Sequence, residues 1–127
     1  MLIVKTKLSK SNIHGIGLFA DQDIPKGTLV QKFIDGFDLI VQPNQLIDAS
    51  DEGKKQFLKY SYHHKISGNY ILNCDDARFL NHSFHPNLIA DPDGGENDVA
   101  ARDIKAGEEL TVNYENFDAD YTLKMNG

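Results

Sequence analysis

The chain has 127 residues, the size of one compact domain, and 40% of them are hydrophobic with only four prolines, so a core can be buried and the disordered and fibrous classes drop out. Against 19 acidic residues stand 13 basic ones, a formal net charge of −6; this is the wrong sign for a phosphate-backbone binder, so no direct nucleic acid is expected, and an acidic surface suits basic partners such as lysine-rich segments. The single cysteine, Cys74, can neither close an internal disulfide nor alone ligate zinc, which fits a cytoplasmic or other reducing intracellular compartment.

At the N-terminus, MLIVKTKLSK carries only Leu2-Ile3-Val4 between Met1 and Lys5, too short an apolar stretch for a secretory signal. No apolar run approaches the roughly 20 residues of a membrane helix, so no membrane is expected. Leu2-Ile3-Val4 and the alternation through Leu8 predict a first strand, and Ser9-Lys10-Ser11-Asn12 a turn. In Ile13–Ala20, Gly15 and Gly17 sit two apart ahead of an apolar run, a spacing that allows close approach to the backbone. Asp23-Ile24-Pro25-Lys26-Gly27 makes a turn, and Thr28–Ile34 a returning strand.

Residues 43–62 hold the helical pattern, with Ser50-Asp51-Glu52 as a cap and Gly53 favouring one or two short helices over a long one. Tyr70-Ile71-Leu72 is a short strand and residues 91–95 an exposed turn. Val99–Glu108 echoes the earlier unit at a spacing of 80 positions (Asp23 to Asp103): apolar run, Asp-Ile, two residues, Gly, then a strand, Leu110–Tyr114. Two units are too few for a solenoid, so the echo reads as local turn chemistry. The expected fold is mainly β with short helices in a single domain, residues 1–127. It divides into an N-terminal region (residues 1–42), a helical insert (about 43–66), a C-terminal region (about 67–117) and a short tail (118–127).

Chemistry-bearing residues concentrate in Asp75–Asn87, where two asparagines, two histidines, an arginine and a serine sit among apolar residues. Such side chains either satisfy buried backbone groups or line a pocket, and spacing alone leaves both readings open. His82 and His85, with His63-His64 upstream, raise a zinc hypothesis. Adjacent histidines on regular structure diverge, so no metal site is expected, and His63-His64 reads as a solvated helix end. Asp75-Asp76, Asp91-Asp93, Glu96 with Asp98, and Asp118-Asp120 read as solvated turns that together form a rim attracting a basic peptide.

Three motifs, in order, carry a family resemblance. RFLNHSFHPN (78–87) resembles the RF-x-NHS-x-x-PN signature of SET-domain methyltransferases, GEELTVNY (107–114) resembles their GEEL-T-x-x-Y motif, and HGIGLFA (14–20) is similar to their N-terminal glycine pair. The resemblance implies a SET-domain, β-clip-like fold of small sheets with a C-terminal pseudoknot, an exception to the rule against threading. It also implies a protein-lysine N-methyltransferase that takes its methyl group from S-adenosyl-L-methionine. Carried over residue by residue, the backbone at Gly15, Ile16 and Gly17 meets the methionine end of the cofactor, Arg78, Asn81 and His82 complete the cofactor site, and Tyr114 is the catalytic tyrosine.

Candidates for the lysine channel are Tyr60, Tyr62 and Tyr70, with Phe117 and Tyr121 following the catalytic motif. Tyr60 and Tyr62 would point to different sides of a helix, so only one of them faces the site. In-line methyl transfer from a sulfonium to an amine needs no protein nucleophile, consistent with the lack of a Ser-His-Asp or Cys-His arrangement. Phe84 stands where many members carry cysteine, Asn113 where many carry aspartate, and DADYTLKMNG holds no cysteine. The chain therefore resembles a minimal SET domain without the zinc-binding post-SET tail, its channel closed by its own tail, by a second copy in a homodimer, or by the substrate. A non-catalytic SET-like peptide-binding module is the alternative function, and a small zinc hydrolase using His82 and His85 a third.

Overall fold

The computed structural model describes residues 1–94 and 96–120. Along them run β1 (Thr6–Lys10), β2 (Ile16–Ala20), β3 (Leu29–Gln31), β4 (Leu39–Val41), α1 (Asp51–Tyr60), β5 (Tyr62–His63), β6 (Tyr70–Leu72), β7 (Asn81–His82), β8 (Leu88–Ala90), β9 (Asp98–Ala100) and β10 (Thr111–Val112), with short 3-10 turns at Pro43–Leu46, Asp76–Phe79 and Tyr114–Asn116. These strands form four small sheets, ordered β1-β2, β10-β7, β3-β9-β8 and β4-β6-β5. Among the described residues only the β7–β10 ladder is parallel, with Asn81 opposite Thr111 and His82 opposite Val112. That ladder sets the NHS segment beside the GEEL strand.

The core draws from both ends of the chain. Leu18, Ile24, Val30, Leu88, Ile104 and Leu110 are fully buried, and Tyr114 and Phe117 pack against them. In β2 the alternation puts Leu18 and Ala20 inward. Because the glycine-pair strand and the GEEL strand share one core, burying it also fixes one motif relative to the other.

The internal echo is more than local turn chemistry, because the two turns pair with each other about a local pseudo-two-fold. Ile24 N–H donates to Ile104 O (2.7 Å) and Ile104 N–H to Ile24 O (2.8 Å). Gly27 N–H donates to Ala100 O and Gly107 N–H to Ala20 O, both at 2.8 Å. Lys26 N–H donates to Asp103 Oδ1 (2.8 Å), and its mate, Ala106 N–H, to Asp23 Oδ1 (2.9 Å). Each bond has its counterpart 80 positions away, and Gly27 and Gly107 take matching φ values of 85° and 95°, a region side chains avoid. A shallow depression lies between these turns, lined by Asp23–Pro25 and Asp103–Lys105, and contains none of the motif residues above.

Several expectations change. The first strand divides: Leu2 makes one bridge to Gln31, while the ladder runs from Thr6 to Lys10, so the turn begins at Ser11 rather than Ser9. Gly53 lies inside a ten-residue helix, where its N–H donates to the capping Ser50 Oγ at 3.0 Å. Tyr60 ends that helix and Tyr62 begins β5, so the pair never shares a helix. Tyr114 opens a 3-10 turn instead of ending a strand, and the Asn113 side chain caps that turn by accepting from Glu115 N–H at 3.0 Å.

Candidate active site

The glycine loop is shaped by two residues that the motif reading passes over, Ser11 and Glu109. Ser11 N–H donates to Gly15 O (2.8 Å), and Ser11 Oγ accepts from the amides of Ile13 (2.9 Å) and His14 (3.2 Å). The Ser11 hydroxyl then donates to the Glu109 carboxylate, 2.7 Å from Oε1. At Gly15, φ is +50° and an added Cβ would meet nothing within 4 Å, so conformation rather than space asks for glycine. At Gly17 the reverse holds: a Cβ would lie 2.5 Å from Glu109 Oε2. The GEEL motif marks Glu109 only as a carboxylate next to an apolar residue, and its contacts with Ser11 and Gly17 lie more than 90 positions away.

Asn81 ties this loop to β7. Its amide nitrogen donates to His14 O (3.0 Å), to Ile16 O (3.5 Å) and to Glu109 Oε2 (2.9 Å). Next along, His82 is buried, and its Nδ1 accepts from Tyr114 N–H at 3.1 Å, so the neutral ring carries its hydrogen on Nε2. Phe84, 63% exposed, sets its ring edge-on to His82 with centroids 4.5 Å apart.

The Tyr114 hydroxyl donates to Leu80 O. Burial first, and the Asp118 charge second, hold its pKa above the usual phenol range, so the ring stays a neutral phenol. With the hydrogen directed at a carbonyl, the oxygen serves toward other neighbours as an acceptor. Phe117 meets Tyr114 edge-on at 5.6 Å and Tyr62 edge-on at 5.0 Å. The Tyr62 hydroxyl donates to Glu96 Oε2 (3.1 Å), whose Oε1 lies 2.8 Å from His64 Nε2. Burial, then Glu96, raises the Tyr62 pKa as well.

Of Tyr60, Tyr62 and Tyr70, then, only Tyr62 joins the aromatic series that reaches Tyr114. Tyr70 stacks on His63 at 4.4 Å, and Tyr60 packs edge-on against Phe79 at 5.8 Å. Arg78 Nε donates to Asp75 O (3.2 Å) and Nη2 to Asn73 O (2.9 Å), with the guanidinium over the Tyr60 ring. Those bonds make Arg78 the staple of the turn that leads into β7. Tyr121 lies outside the described residues.

The reading of His63-His64 as a solvated helix end is corrected: both rings are half-buried on and beside β5. His63 Nδ1 faces Asp120 Oδ1 at 3.2 Å, and its Nε2 faces Gly68 O at 3.0 Å. His82 is buried while His85 is exposed, and among the described residues no group of three or more His, Cys, Asp or Glu is placed to hold a metal ion. Not every acidic residue sits in a solvated turn, either. Asp118 is fully buried and accepts from His63 N–H (3.1 Å) and Asp120 N–H (3.0 Å). Burial, with Glu96 adding to it, pushes the Asp98 carboxyl up to about 7.

Three comparisons bear on this arrangement. A family model described as SET domain matches residues 15–115. Among curated proteins, histone-lysine N-methyltransferase set1 of Dictyostelium discoideum is 32% identical over 127 residues, taking in 87% of this chain and 8% of that protein. Histone-lysine N-methyltransferase 2D of Homo sapiens is 27% identical over 117 residues, 85% of this chain and 2% of that protein. Among solved structures, ctPRC2 in an autoinhibited conformation bound to S-adenosylmethionine superposes with a TM-score of 0.67 at 23% identity, covering 97% of this chain and 16% of that one. A humanized mutant of the Chaetomium thermophilum Polycomb Repressive Complex 2 bound to an inhibitor gives a TM-score of 0.66 at 22% identity, with 94% and 16% covered. The chain thus spans a small fraction of the length of the proteins it matches.

Proposed function

The chain belongs to the SET domain family, whose model takes in residues 15–115, and from that premise we propose that it is a protein-lysine N-methyltransferase acting on a basic, lysine-bearing protein with S-adenosylmethionine as methyl donor. The observation that carries the reading is the convergence on one parallel ladder of the amide of Asn81, the buried ring of His82 and the carbonyl-anchored phenol of Tyr114.

The residues present fit the cofactor. Gly15 is exposed, with open space where a Cβ would be, Gly17 is buried against the Glu109 carboxylate, and the Asn81 carbonyl oxygen is an acceptor suited to a cationic amine. Beside them, Ile16 (54% exposed) and Phe84 (63% exposed) offer an apolar rim of the kind a nucleoside needs. When bound, S-adenosylmethionine supplies a methyl group made electrophilic by its sulfonium. The chain's own contribution is alignment and exclusion of water. Tyr114 oxygen accepts from the amine and from polarised C–H groups, the latter a second-order contribution. Tyr62 and Phe117 supply aromatic walls, which favour the neutral lysine because burial disfavours its charged form. Tyr114, kept protonated, orients the amine and does not act as its base.

The relatives' names specify histones, which supports a histone-like basic protein as substrate, and the net charge of −6 supports its capture. The exposed Cys74 thiol supports a reducing, cytoplasmic setting. Incubation with labelled cofactor and basic proteins tests the proposal. Label transfer to lysine, reduced about 100-fold in Tyr114→Phe with cofactor binding retained, is expected, since misplacing a reacting group costs on that order. Transfer unchanged in Tyr114→Phe removes the role of that hydroxyl, and failure to bind the cofactor removes the whole reading. Binding without turnover on any lysine-rich protein points to a peptide-binding module instead.

A further inference from the structure

We propose that Glu109 is a positioning residue: its carboxylate fixes the Asn81 amide so that the carbonyl oxygen of that side chain faces the cationic amino group of the cofactor. The inference rests on the cofactor reading above and assigns a role to a residue outside the aligned glycine and asparagine positions.

An asparagine amide has two faces, a donor nitrogen and an acceptor oxygen, and its neighbours decide which way it points. Around the Asn81 nitrogen stand three acceptors: His14 O, Ile16 O and Glu109 Oε2. Turning the amide over would set its oxygen against a carboxylate at 2.9 Å, an arrangement with no hydrogen to bridge it. The carboxylate is itself held. Ser11 donates to it at 2.7 Å and 2.9 Å, while the Ser11 oxygen accepts the amides of Ile13 and His14. Gly17 completes the seat, since any Cβ there would fall 2.5 Å from Glu109 Oε2. A single side chain from the C-terminal motif therefore sets both the fold of the 11–17 loop and the orientation of Asn81. Glu109 touches no cofactor atom in this scheme and acts through Asn81.

The geometry also says which variant is conservative. In Glu109→Gln the amide oxygen can occupy the Oε2 position, where it still accepts from Asn81 and from Ser11. Glu109→Met keeps the length and loses every acceptor. Binding of S-adenosylhomocysteine, which cannot donate a methyl group, is measured by calorimetry on the 127-residue chain at a temperature where circular dichroism shows each variant folded. A rise in Kd of at least about ten-fold is expected for Glu109→Met, and a rise below about three-fold for Glu109→Gln. Hydrogen exchange of the Asn81 side-chain amide and of the Ile13 and His14 backbone amides is followed by NMR without ligand. All three should quicken in Glu109→Met and hold in Glu109→Gln, with the β1–β2 ladder unchanged.

A folded Glu109→Met with unaltered Kd overturns the proposal, and so does a Glu109→Gln as weak as Glu109→Met. Should the unsubstituted chain fail to bind S-adenosylhomocysteine, the cofactor reading falls. The exchange data then decide the positioning claim alone: quickened exchange at Asn81, Ile13 and His14 upholds it, and unchanged exchange ends it.

Discussion

The paired turns make a symmetric prediction that a fold without that symmetry would not make. Asp23 Oδ1 accepts from Ala106 N–H at 2.9 Å, and Asp103 Oδ1 accepts from Lys26 N–H at 2.8 Å. Each aspartate is exposed, so each bond is charge-assisted but solvent-screened, and its loss in Asp23→Ala or Asp103→Ala should cost about 1 kcal/mol, as for a helix cap. In a domain of this size that is a fall in Tm of about 3–6 °C. The glycines give a second, independent pair. Gly27 and Gly107 have φ of 85° and 95° and nothing within 4 Å of an added Cβ, so alanine brings no clash and only the conformational cost, about 1–2 kcal/mol at each. Urea titrations with a common m-value, supported by thermal melts, read all four variants. Equivalent turns require the two aspartate variants to match each other within about 0.5 kcal/mol, and likewise the two glycine variants. A difference above about 1 kcal/mol within either pair, or one turn responding while the other is silent, would refute the equivalence of the two turns.

Asp98 gives a pH prediction. Its folded pKa of about 7 lies above the ordinary value of 3.8, so the native state holds the proton more tightly, and this stability contribution is present below about pH 4 and lost as pH rises through 7. Asp98→Asn should therefore flatten the fall in Tm between pH 5 and pH 8 and be more stable than the parent at pH 8 by about 1–3 kcal/mol; a steeper fall in the variant counts against it. Phe117→Ala removes the ring between Tyr62 and Tyr114; it should cost about 2–3 kcal/mol in urea and lower the rate of methyl transfer while leaving the cofactor Kd in place. Since the segment carrying Phe117 is held by hydrogen bonds, a chelator should change neither the Tm nor cofactor binding of the 127-residue chain, and a chelator-induced fall in either would show that closure depends on metal.

What is legible in the sequence follows from the range of the interactions involved. Turn chemistry at Pro25-Lys26-Gly27 and the Ser50 cap depend on neighbours a few residues away, and the structure has both in place. The echo is visible as well, but that its two copies grip each other depends on pairing across 80 positions, which no local pattern states. The same limit hides Glu109. Nothing beside it in GEEL shows that its carboxylate fills the place of a side chain missing at Gly17 and orients Asn81 on another strand. Tyr60 and Tyr62 escape the helical reading for a different reason. The helix ends between them, because Ser61 adopts an extended backbone, so a helical angle no longer relates the two rings. What separates Tyr62 from Tyr60 and Tyr70 is its contact with Phe117, which arrives from the C-terminal segment.

The aromatic series Tyr62, Phe117 and Tyr114 depends on that segment. Phe117 comes after the end of β10 and would have little reason to stay beside Tyr114 if the following residues were unpaired. They are instead joined to β5 and its extension: Lys65 N–H donates to Phe117 O (3.0 Å), Ala119 N–H to His63 O (2.7 Å), and His63 N–H to Asp118 Oδ1 (3.1 Å). Asp118 is the costly member, a fully buried carboxylate, and it is tolerable because backbone amides reach it from both sides of the join, at His63 and at Asp120. The Asp120 carboxylate then faces the His63 ring, which stacks on Tyr70. Residues 117–120 are thereby fixed by hydrogen bonds, and the ring they carry is set edge-on between Tyr62 and Tyr114. Each such bond contributes only about 0.5–1.5 kcal/mol net, so the join is weaker than the core and opens before it. The Phe117 ring beside Tyr114 is therefore more easily displaced than the core. His63 holds that segment directly, and Tyr70 supports it by stacking on the His63 ring.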